Sequence, residues 1–503
     1  MSADTLRDWR AALIPADDFR RPTADIYDLA VLGGGTAGLV AAVGAASVGA
    51  RVALIERDFL GGDCLISGCV PSKALIAIAR RIRSSSGPGA TPETVRSMAL
   101  THVATVQQRL AANDSAARLR GLGIDLFRGE ARFVDRRIVE VAETRLRFRK
   151  ALIATGSRPA IPQIPGLAES APLTTQSFFP LEQLPESIFI LGGGPTGCEL
   201  AQALTDLGVT TTLLEQDQRV LPHEAPAVSQ LIERRLRQSG VNVQTGVELR
   251  RVWRNDGVTT IEWTTSGKVG TSASILGAMV VSSAAACLVA AGRRANVDTL
   301  RLESAGVQAG RDGIEVNDFG RTSNRHIYAA GDVCSNIRFT HAADAQARAV
   351  VRNALFCGRE RGMRRVLPRC IYTAPEVARV GLTEDEVHAA RPAIHTLALP
   401  LSEIDRAVID GNTDGFMTIH LRRGSDRILG ATLVCDYAGE LIGEIAFAME
   451  RGIGLVGLGQ AVRPYPTLGE GVRKLADQYQ RQRLTPFAKR ALSFWRAIWR
   501  RLP

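Results

Sequence analysis

One feature constrains this 503-residue chain more than any other: a strand, a glycine-rich turn, a helix and a second strand ending in Glu are written twice. From Asp28 the sequence runs Leu-Ala-Val-Leu, then Gly33-Gly34-Gly35-Thr36-Ala37-Gly38, a small-residue run to Gly49, and Arg-Val-Ala-Leu-Ile-Glu56. From Ser187 it runs Ile-Phe-Ile-Leu, then Gly192-Gly193-Gly194-Pro195-Thr196-Gly197, a run to Gly208, and Thr-Thr-Thr-Leu-Leu-Glu215. In both copies the acid stands 23 residues after the first glycine. A lone GxGxxG is often only a tight turn. Two copies, each between an apolar strand and a helix, make a dinucleotide-binding fingerprint.

The spacing has a physical reading. Gly33 and Gly192 allow the tight turn, Gly35 and Gly194 let backbone approach a pyrophosphate, and Gly38 and Gly197 permit close helix–strand packing. Each helix N-terminus offers N–H groups and a positive dipole end to phosphates. Glu56 and Glu215 are placed to accept from ribose hydroxyls, so two dinucleotides are implied. The stretches Ala151 to Gly156 and Cys287 to Gly292 read as strands that close each nucleotide-binding sheet, and Ile327 to Asp332 as a strand ending in a turn with a carboxylate. After about residue 363 alternating stretches, Phe416 to Leu421 and Ile428 to Val434, and a helical run from Gly439 to Met449 predict an α+β domain with an antiparallel sheet.

Composition narrows the partners. Hydrophobic residues make up 45% and charged residues 22% of the chain, as in a soluble globular protein. The formal charge of +11 invites a nucleic-acid reading, but Arg481, Arg483, Lys489, Arg490, Arg496, Arg500 and Arg501 supply seven of those charges with no acid among them. No nucleic-acid role is expected for the rest. Eight scattered cysteines fit a reducing compartment, and Asp17 and Asp18 before any apolar run argue against a secretory signal, so a cytoplasmic protein is expected. The uncharged stretch from Val269 to Gly292 is Ala-, Ser- and Gly-rich and ends in a strand motif, which disfavours a membrane span.

Just past the first fingerprint comes Gly61-Gly62-Asp63-Cys64-Leu65-Ile66-Ser67-Gly68-Cys69-Val70-Pro71-Ser72-Lys73. Cysteines five apart meet if the segment is a distorted first helical turn, and a helix N-terminus favours the thiolate. Two buried small residues would be the plainer reading. A glycine-flanked pair directly after a fingerprint reverses the odds.

With these residues in view, the chain resembles the pyridine nucleotide-disulfide oxidoreductases, the family of dihydrolipoamide dehydrogenase, glutathione reductase and mercuric reductase, over residues 25–480. The resemblance implies an α/β fold: two Rossmann-like nucleotide-binding domains of the glutathione-reductase type plus a C-terminal α+β dimerisation domain. It divides the chain into an N-terminal extension (1–24), an FAD-binding domain (25–182 and 301–362), an NAD(P)-binding domain (183–300), a dimerisation domain (363–480) and a basic amphipathic tail (481–503). It implies that Cys64 is the thiol that meets substrate, that Cys69 is the thiolate facing the flavin, and that Lys73 lies near flavin N5 paired with Glu199. FAD would lie on Gly33, Gly35, Thr36, Ala37, Gly38, Glu56, Arg57, Gly62, Asp63, Lys73, Ala131, Thr155, Gly156, Ser157, Gly331 and Asp332. A helix opening at Arg338-Phe339-Thr340-His341 would point at the flavin, with His341 as a cofactor contact or an ordinary cap. The nicotinamide nucleotide would lie on Gly192, Gly194, Gly197, Glu215 and Gly292. Glu215 favours NADH over NADPH, since a carboxylate repels a 2′-phosphate. No resident metal is expected.

The chain departs from its relatives at Arg463-Pro464-Tyr465-Pro466-Thr467-Leu468-Gly469-Glu470. Disulfide-reducing members carry a His where Tyr465 stands, with a Glu five positions later that Glu470 matches, contributed by the partner subunit of a homodimer. An unperturbed Tyr, with a pKa near 10, is no base at neutral pH. A tyrosine here is similar to the mercuric reductases, but their C-terminal vicinal cysteine pair and N-terminal CxxC domain are missing, the last cysteine being Cys435. The expected function is therefore FAD-dependent transfer from NAD(P)H through Cys64 and Cys69 to an electrophilic acceptor: a metal ion such as mercuric ion, a disulfide or a quinone. Alternatives are dihydrolipoamide dehydrogenase and a membrane-surface redox sensor. In the tail, Phe487, Ala491, Phe494, Trp495, Ile498 and Leu502 recur at helical spacing among basic residues. That pattern suits packing on the dimer, or else peripheral contact with the inner face of the membrane.

Overall fold

The first glycine fingerprint lies at the C-terminal end of the middle strand of a parallel sheet. That strand, Tyr27–Leu32, runs between Val52–Glu56 and Thr144–Ile153, with Ile124–Arg128 and Ile327–Ala329 outside them. Its residues alternate between two cores: Leu29 and Val31 pack in one with Leu54 and Leu152, while Ala30 and Leu32 pack in the other with Ile55 and Ile153. A strand buried on both faces needs such a continuous apolar run. Thr144–Ile153 serves two neighbours. Its first half pairs antiparallel with Ile138–Val141, and its second half runs parallel to Tyr27–Leu32.

The computed structural model describes residues 8–14, 22–84, 91–265, 279–389, 393–484 and 486–500. The chain forms two compact units, Met1–Val220 with Leu236–Arg365 and Leu221–Arg235 with Val366–Pro503.

In the first unit the second fingerprint follows Ser187–Leu191, in a parallel sheet ordered Asn242–Gln244, Thr210–Leu214, Ser187–Leu191, Ala286–Val289. An antiparallel sheet of Val247–Asn255, Val258–Thr265 and Met279–Ala284 is inserted before the last strand. The uncharged stretch from Val269 is therefore no membrane helix: from Met279 it forms two strands, and residues 269–278 lie outside the described residues. Gly62–Ser84 is apolar enough by length and composition to cross a membrane. In the fold it is two helices, Gly62–Ile66 and Cys69–Ser84, broken at Ser67-Gly68, with Leu65, Leu75 and Ile76 buried.

Within residues 1–24, described over 8–14 and 22–24, Trp9 and Leu13 are buried in the first core, and Leu60 N–H donates to Leu13 O (2.9 Å). Burying one leucine contributes about 1.5–3 kcal/mol toward ordering the segment. The chain returns from the second half earlier than residue 301. Arg293–Ala295 pairs with Ser157–Pro159, and Leu300 is buried in the first half's core.

The second unit is a five-stranded antiparallel sheet ordered Arg369–Ile371, Glu376–Gly381, Ile428–Cys435, Phe416–Arg422, Ile394–Pro400. The helix Ala438–Arg451 packs on Glu376–Gly381 and Ile428–Cys435. The segment Leu221–Arg235, expected within the NAD(P)-binding domain, belongs to this unit, where Glu224 pairs with buried Arg379 (3.3 Å).

Candidate functional site

In the first fingerprint Gly33 has φ +107°, and a Cβ there would lie 2.4 Å from Ala154 O. A Cβ on Gly38 would lie 1.8 Å from Gly33 O, so any side chain would push the helix Thr36–Ala46 off its strand. Gly35 differs, since its Cβ position meets only Gly62 Cα at 3.8 Å. Packing explains the outer glycines, while the middle one meets only the backbone of Gly62. No side chain caps the helix that follows Gly35, which leaves its first N–H groups available to a phosphate.

Glu56 is held at the tip of its strand by N–H donors from Gly34 and Asp58, both at 2.6 Å. Burial raises its pKa above the usual carboxyl range. Glu56, Arg57, Ala131, Thr155, Gly33 and Asn296 line one half-open cleft. A polar cleft beside an uncapped helix end fits the adenosine and pyrophosphate portions of a dinucleotide.

The second fingerprint repeats this geometry. Gly192 has φ +110°, a Cβ on Gly197 would lie 1.8 Å from Gly192 O, and none of the surrounding atoms comes within 4 Å of a Cβ on Gly194. Glu215 accepts from Gly193 N–H (2.5 Å) and Asp217 N–H (2.8 Å).

The two thiols belong to successive helices: Cys64 lies within Gly62–Ile66, and Cys69 opens Cys69–Ser84. Both are free in this structure. The Cys64 thiol donates to Cys69, Thr340 Oγ1 lies 3.1 Å from Cys69 Sγ, and Lys73 adds a positive charge. Together these lower the Cys69 pKa to about 6. The same bond, with burial, raises that of Cys64. Thr340 is the first residue of the helix Thr340–Leu355, so a third helix end contributes to the site. Thr340 Oγ1 also lies 3.5 Å from Cys64 Sγ, so one hydroxyl reaches both sulfurs.

Lys73 Nζ lies 2.8 Å from Glu199 Oε2, the carboxylate buried on the second fingerprint helix, Pro195–Asp206. Farther along the same two helices Arg83 pairs with Asp206 (3.3 Å). Two ion pairs in the same order along both helices fix their register and join the redox segment to the second nucleotide-binding half.

Four supporting residues were not among the sequence candidates. Arg293 donates to Asp63 Oδ2 (2.5 Å) and to Ser157 Oγ (2.8 Å) and lies 3.7 Å from Asp332. Ser157 Oγ donates to Asp332 (2.6 Å). Gln107 donates to the carbonyls of Leu65 (2.8 Å) and Ile66 (2.9 Å), closing the short helix that carries Cys64. Asn296 donates to Thr155 O (2.9 Å), and Gln346 accepts from Gly331 N–H (2.8 Å). Arg293 alone had a visible signal, as the residue directly after the strand-and-glycine stretch ending at Gly292.

The remaining candidates divide by position. Gly62, Gly156, Gly292 and Gly331 all have positive φ, and a Cβ on Gly62 would lie 2.7 Å from Gly35 Cα, so the redox segment crosses directly over the fingerprint turn. His341 is exposed, with its ring stacked on Phe339 (5.4 Å between centroids). In the second unit exposed Tyr465 donates to Asp405 (2.9 Å), and this bond raises its pKa further above neutrality. Glu470 is buried and paired with Arg473 (2.9 Å) and Lys474 (3.6 Å). Among the described residues no group of three or more His, Cys, Asp and Glu side chains is arranged to hold a metal ion.

Comparison with known proteins follows the same division. Residues 27–347 match the pyridine nucleotide-disulphide oxidoreductase family, and residues 367–476 match that family's dimerisation domain. The mercuric reductase of Staphylococcus aureus is 32% identical over 461 residues, covering 90% of this chain and 82% of that protein. The dihydrolipoyl dehydrogenase of Bacillus subtilis is 32% identical over 470 residues, covering 90% and 97%. Among solved structures, the Cu(II) complex of the HOCl-induced flavoprotein disulfide reductase RclA from Escherichia coli superposes with a TM-score of 0.80 at 26% identity, covering 90% of this chain and all of that one.

Proposed function

Because the chain belongs to the pyridine nucleotide-disulphide oxidoreductases, flavin-dependent enzymes that use a pyridine nucleotide, we propose that it passes electrons from NADH through FAD to Cys64 and Cys69, and from them to a soft metal ion. The observation that carries this reading is the geometry of the redox segment: Cys64 and Cys69 lie on successive helices, Thr340 Oγ1 is 3.5 Å from one sulfur and 3.1 Å from the other, and the Lys73–Glu199 ion pair follows one turn on.

Bound FAD supplies two-electron exchange between a nicotinamide and a dithiol. Gly33, Gly35, Thr36, Ala37, Gly38 and Glu56 would hold its adenosine and pyrophosphate portions. The network of Asp63, Arg293, Ser157 and Asp332 would hold the part nearer the thiols. Gly192, Gly194, Gly197 and Glu215 would bind the nicotinamide nucleotide. Glu215 supports NADH, because a carboxylate at the end of the second fingerprint strand repels a 2′-phosphate, and two backbone donors hold it there.

Lys73, held by Glu199, keeps a cation near Cys69 and favours its thiolate. Cys64 retains the proton in the two-thiol state and must lose it before acting as a nucleophile or metal ligand. Tyr465 is a poor acceptor for that proton, because Asp405 holds its hydroxyl protonated well above neutral pH. Exchange with a thiol or disulfide substrate needs a proton acceptor beside Cys64. Binding a soft ion also requires the Cys64 proton to leave, to solvent, but it needs no proton for a leaving thiolate: two electrons pass to the ion as the Cys64–Cys69 disulfide re-forms. A relative named mercuric reductase and a neighbour solved with Cu(II) support the same class of acceptor. Disulfides and quinones are the remaining acceptors. Dihydrolipoamide dehydrogenase activity, the second reading, draws on the Bacillus relative and has Tyr465 against it.

We further propose a cytoplasmic homodimer in which the partner subunit's C-terminal domain completes the site. The dimerisation-domain match over 367–476 supports the dimer. The testing variant is Cys64→Ser. Stopped-flow measurement should find flavin reduction by NADH within about twofold of wild type while steady-state mercuric-ion reduction falls by a hundredfold or more, the scale of losing an essential nucleophile. Unchanged turnover would show that electrons leave by another route.

A further inference from the structure

A helix stays fixed on a globular protein by burying one face, and the C-terminal helix Pro486–Trp499 lacks that burial. Phe487 is 82% exposed, Phe494 71%, Trp495 61% and Trp499 63%. At 100° per residue, Phe487, Ala491, Phe494, Trp495, Ile498 and Trp499 fall within an arc of about 140°. Lys489, Arg490, Arg496 and Arg500 occupy the opposite side. The sequence contains no acid after Asp477, so no carboxylate of this segment offsets those charges.

We propose that this helix docks the enzyme on an anionic lipid surface, lying in the plane of the interface with its aromatic face among the headgroups. Three features favour that occupant. Contiguous apolar exposure of this kind is rare on soluble proteins unless something covers it. Trp and Phe on one side with Lys and Arg on the other is the composition that suits a bilayer interface, where aromatic rings bury and cations meet anionic headgroups. A second copy of the same helix would instead bring two basic segments together. Length sets the mode. Fourteen residues span about 21 Å, short of the ~30 Å hydrocarbon core, so the helix lies on a membrane and does not cross it.

The test uses the full-length FAD-loaded enzyme in flotation assays with phosphatidylcholine vesicles and with vesicles also containing phosphatidylglycerol. Co-flotation is expected only with the anionic vesicles, weakening as salt screens the charges. Lys489→Gln and Arg496→Gln should each weaken binding roughly fivefold. The double variant Phe494→Ser with Trp495→Ser should abolish flotation, and all variants should keep wild-type NADH-dependent turnover. Absence of flotation, or equal flotation with neutral vesicles, would overturn the proposal. So would variants that change the oligomeric mass in light scattering and leave lipid binding intact, since the helix would then be packing on a second copy of the chain.

Discussion

Cys69 and Tyr465 are perturbed in opposite senses, and each shift has an identifiable neighbour. The Cys64 thiol, Thr340 and Lys73 all stabilise a negative sulfur at Cys69, bringing its pKa to about 6. Asp405 stabilises the neutral phenol of Tyr465 and raises its pKa. Because the Cys69 shift is downward, the thiolate persists through neutral pH and takes up a proton as pH falls through about 6. In the two-electron-reduced holoenzyme, the ultraviolet thiolate absorbance should therefore titrate with a midpoint near 6. Thr340→Val should raise that midpoint by about one unit, the size of one hydrogen bond to a charged group. A wild-type midpoint near the ordinary thiol value of 9.0 would mean that these neighbours do not act as described.

At the scale of elements, two glycine turns of the same design hold two helices against two parallel sheets. Gly38 and Gly197 each leave 1.8 Å between a Cβ position and the carbonyl of the first glycine, so neither site accepts alanine without displacing its helix. Gly197→Ala should therefore weaken NADH binding by tenfold or more, from about 1–3 kcal/mol of overpacking, and leave the FAD content intact. The check is an NADH dissociation constant measured beside flavin stoichiometry, and an unchanged constant would contradict this account of the turn. These elements were legible in the sequence because fingerprint, strand pattern and acid are local and repeat at one spacing. Arg293 was not. Its partner Asp63 lies 230 residues away, and a pairing set by tertiary packing leaves no periodic trace. Gln107 was hidden in the same way, a polar residue buried in a helix to close a carbonyl end of another. The position of Leu221–Arg235 in the chain places it in the NAD(P)-binding domain, while the pairs Glu224–Arg379 and Arg234–Asp414 tie it to the second unit.

Across the whole molecule, electron supply is better defined than electron delivery. Supply follows from features within one unit: duplicate nucleotide turns, the Lys73–Glu199 pair between their halves, and a redox segment crossing the first turn at Gly62. Delivery rests on the proposed acceptor, for which the chain offers Tyr465 where disulfide-reducing relatives carry a histidine. The central claim is that Cys69 is the thiolate beside the flavin. Anaerobic titration of the FAD-loaded enzyme with NADH tests it most directly. A long-wavelength thiolate-to-flavin absorbance should appear after two electrons and be lost in Cys69→Ser. A two-electron-reduced enzyme without that band, or a band that survives in Cys69→Ser, would contradict the account.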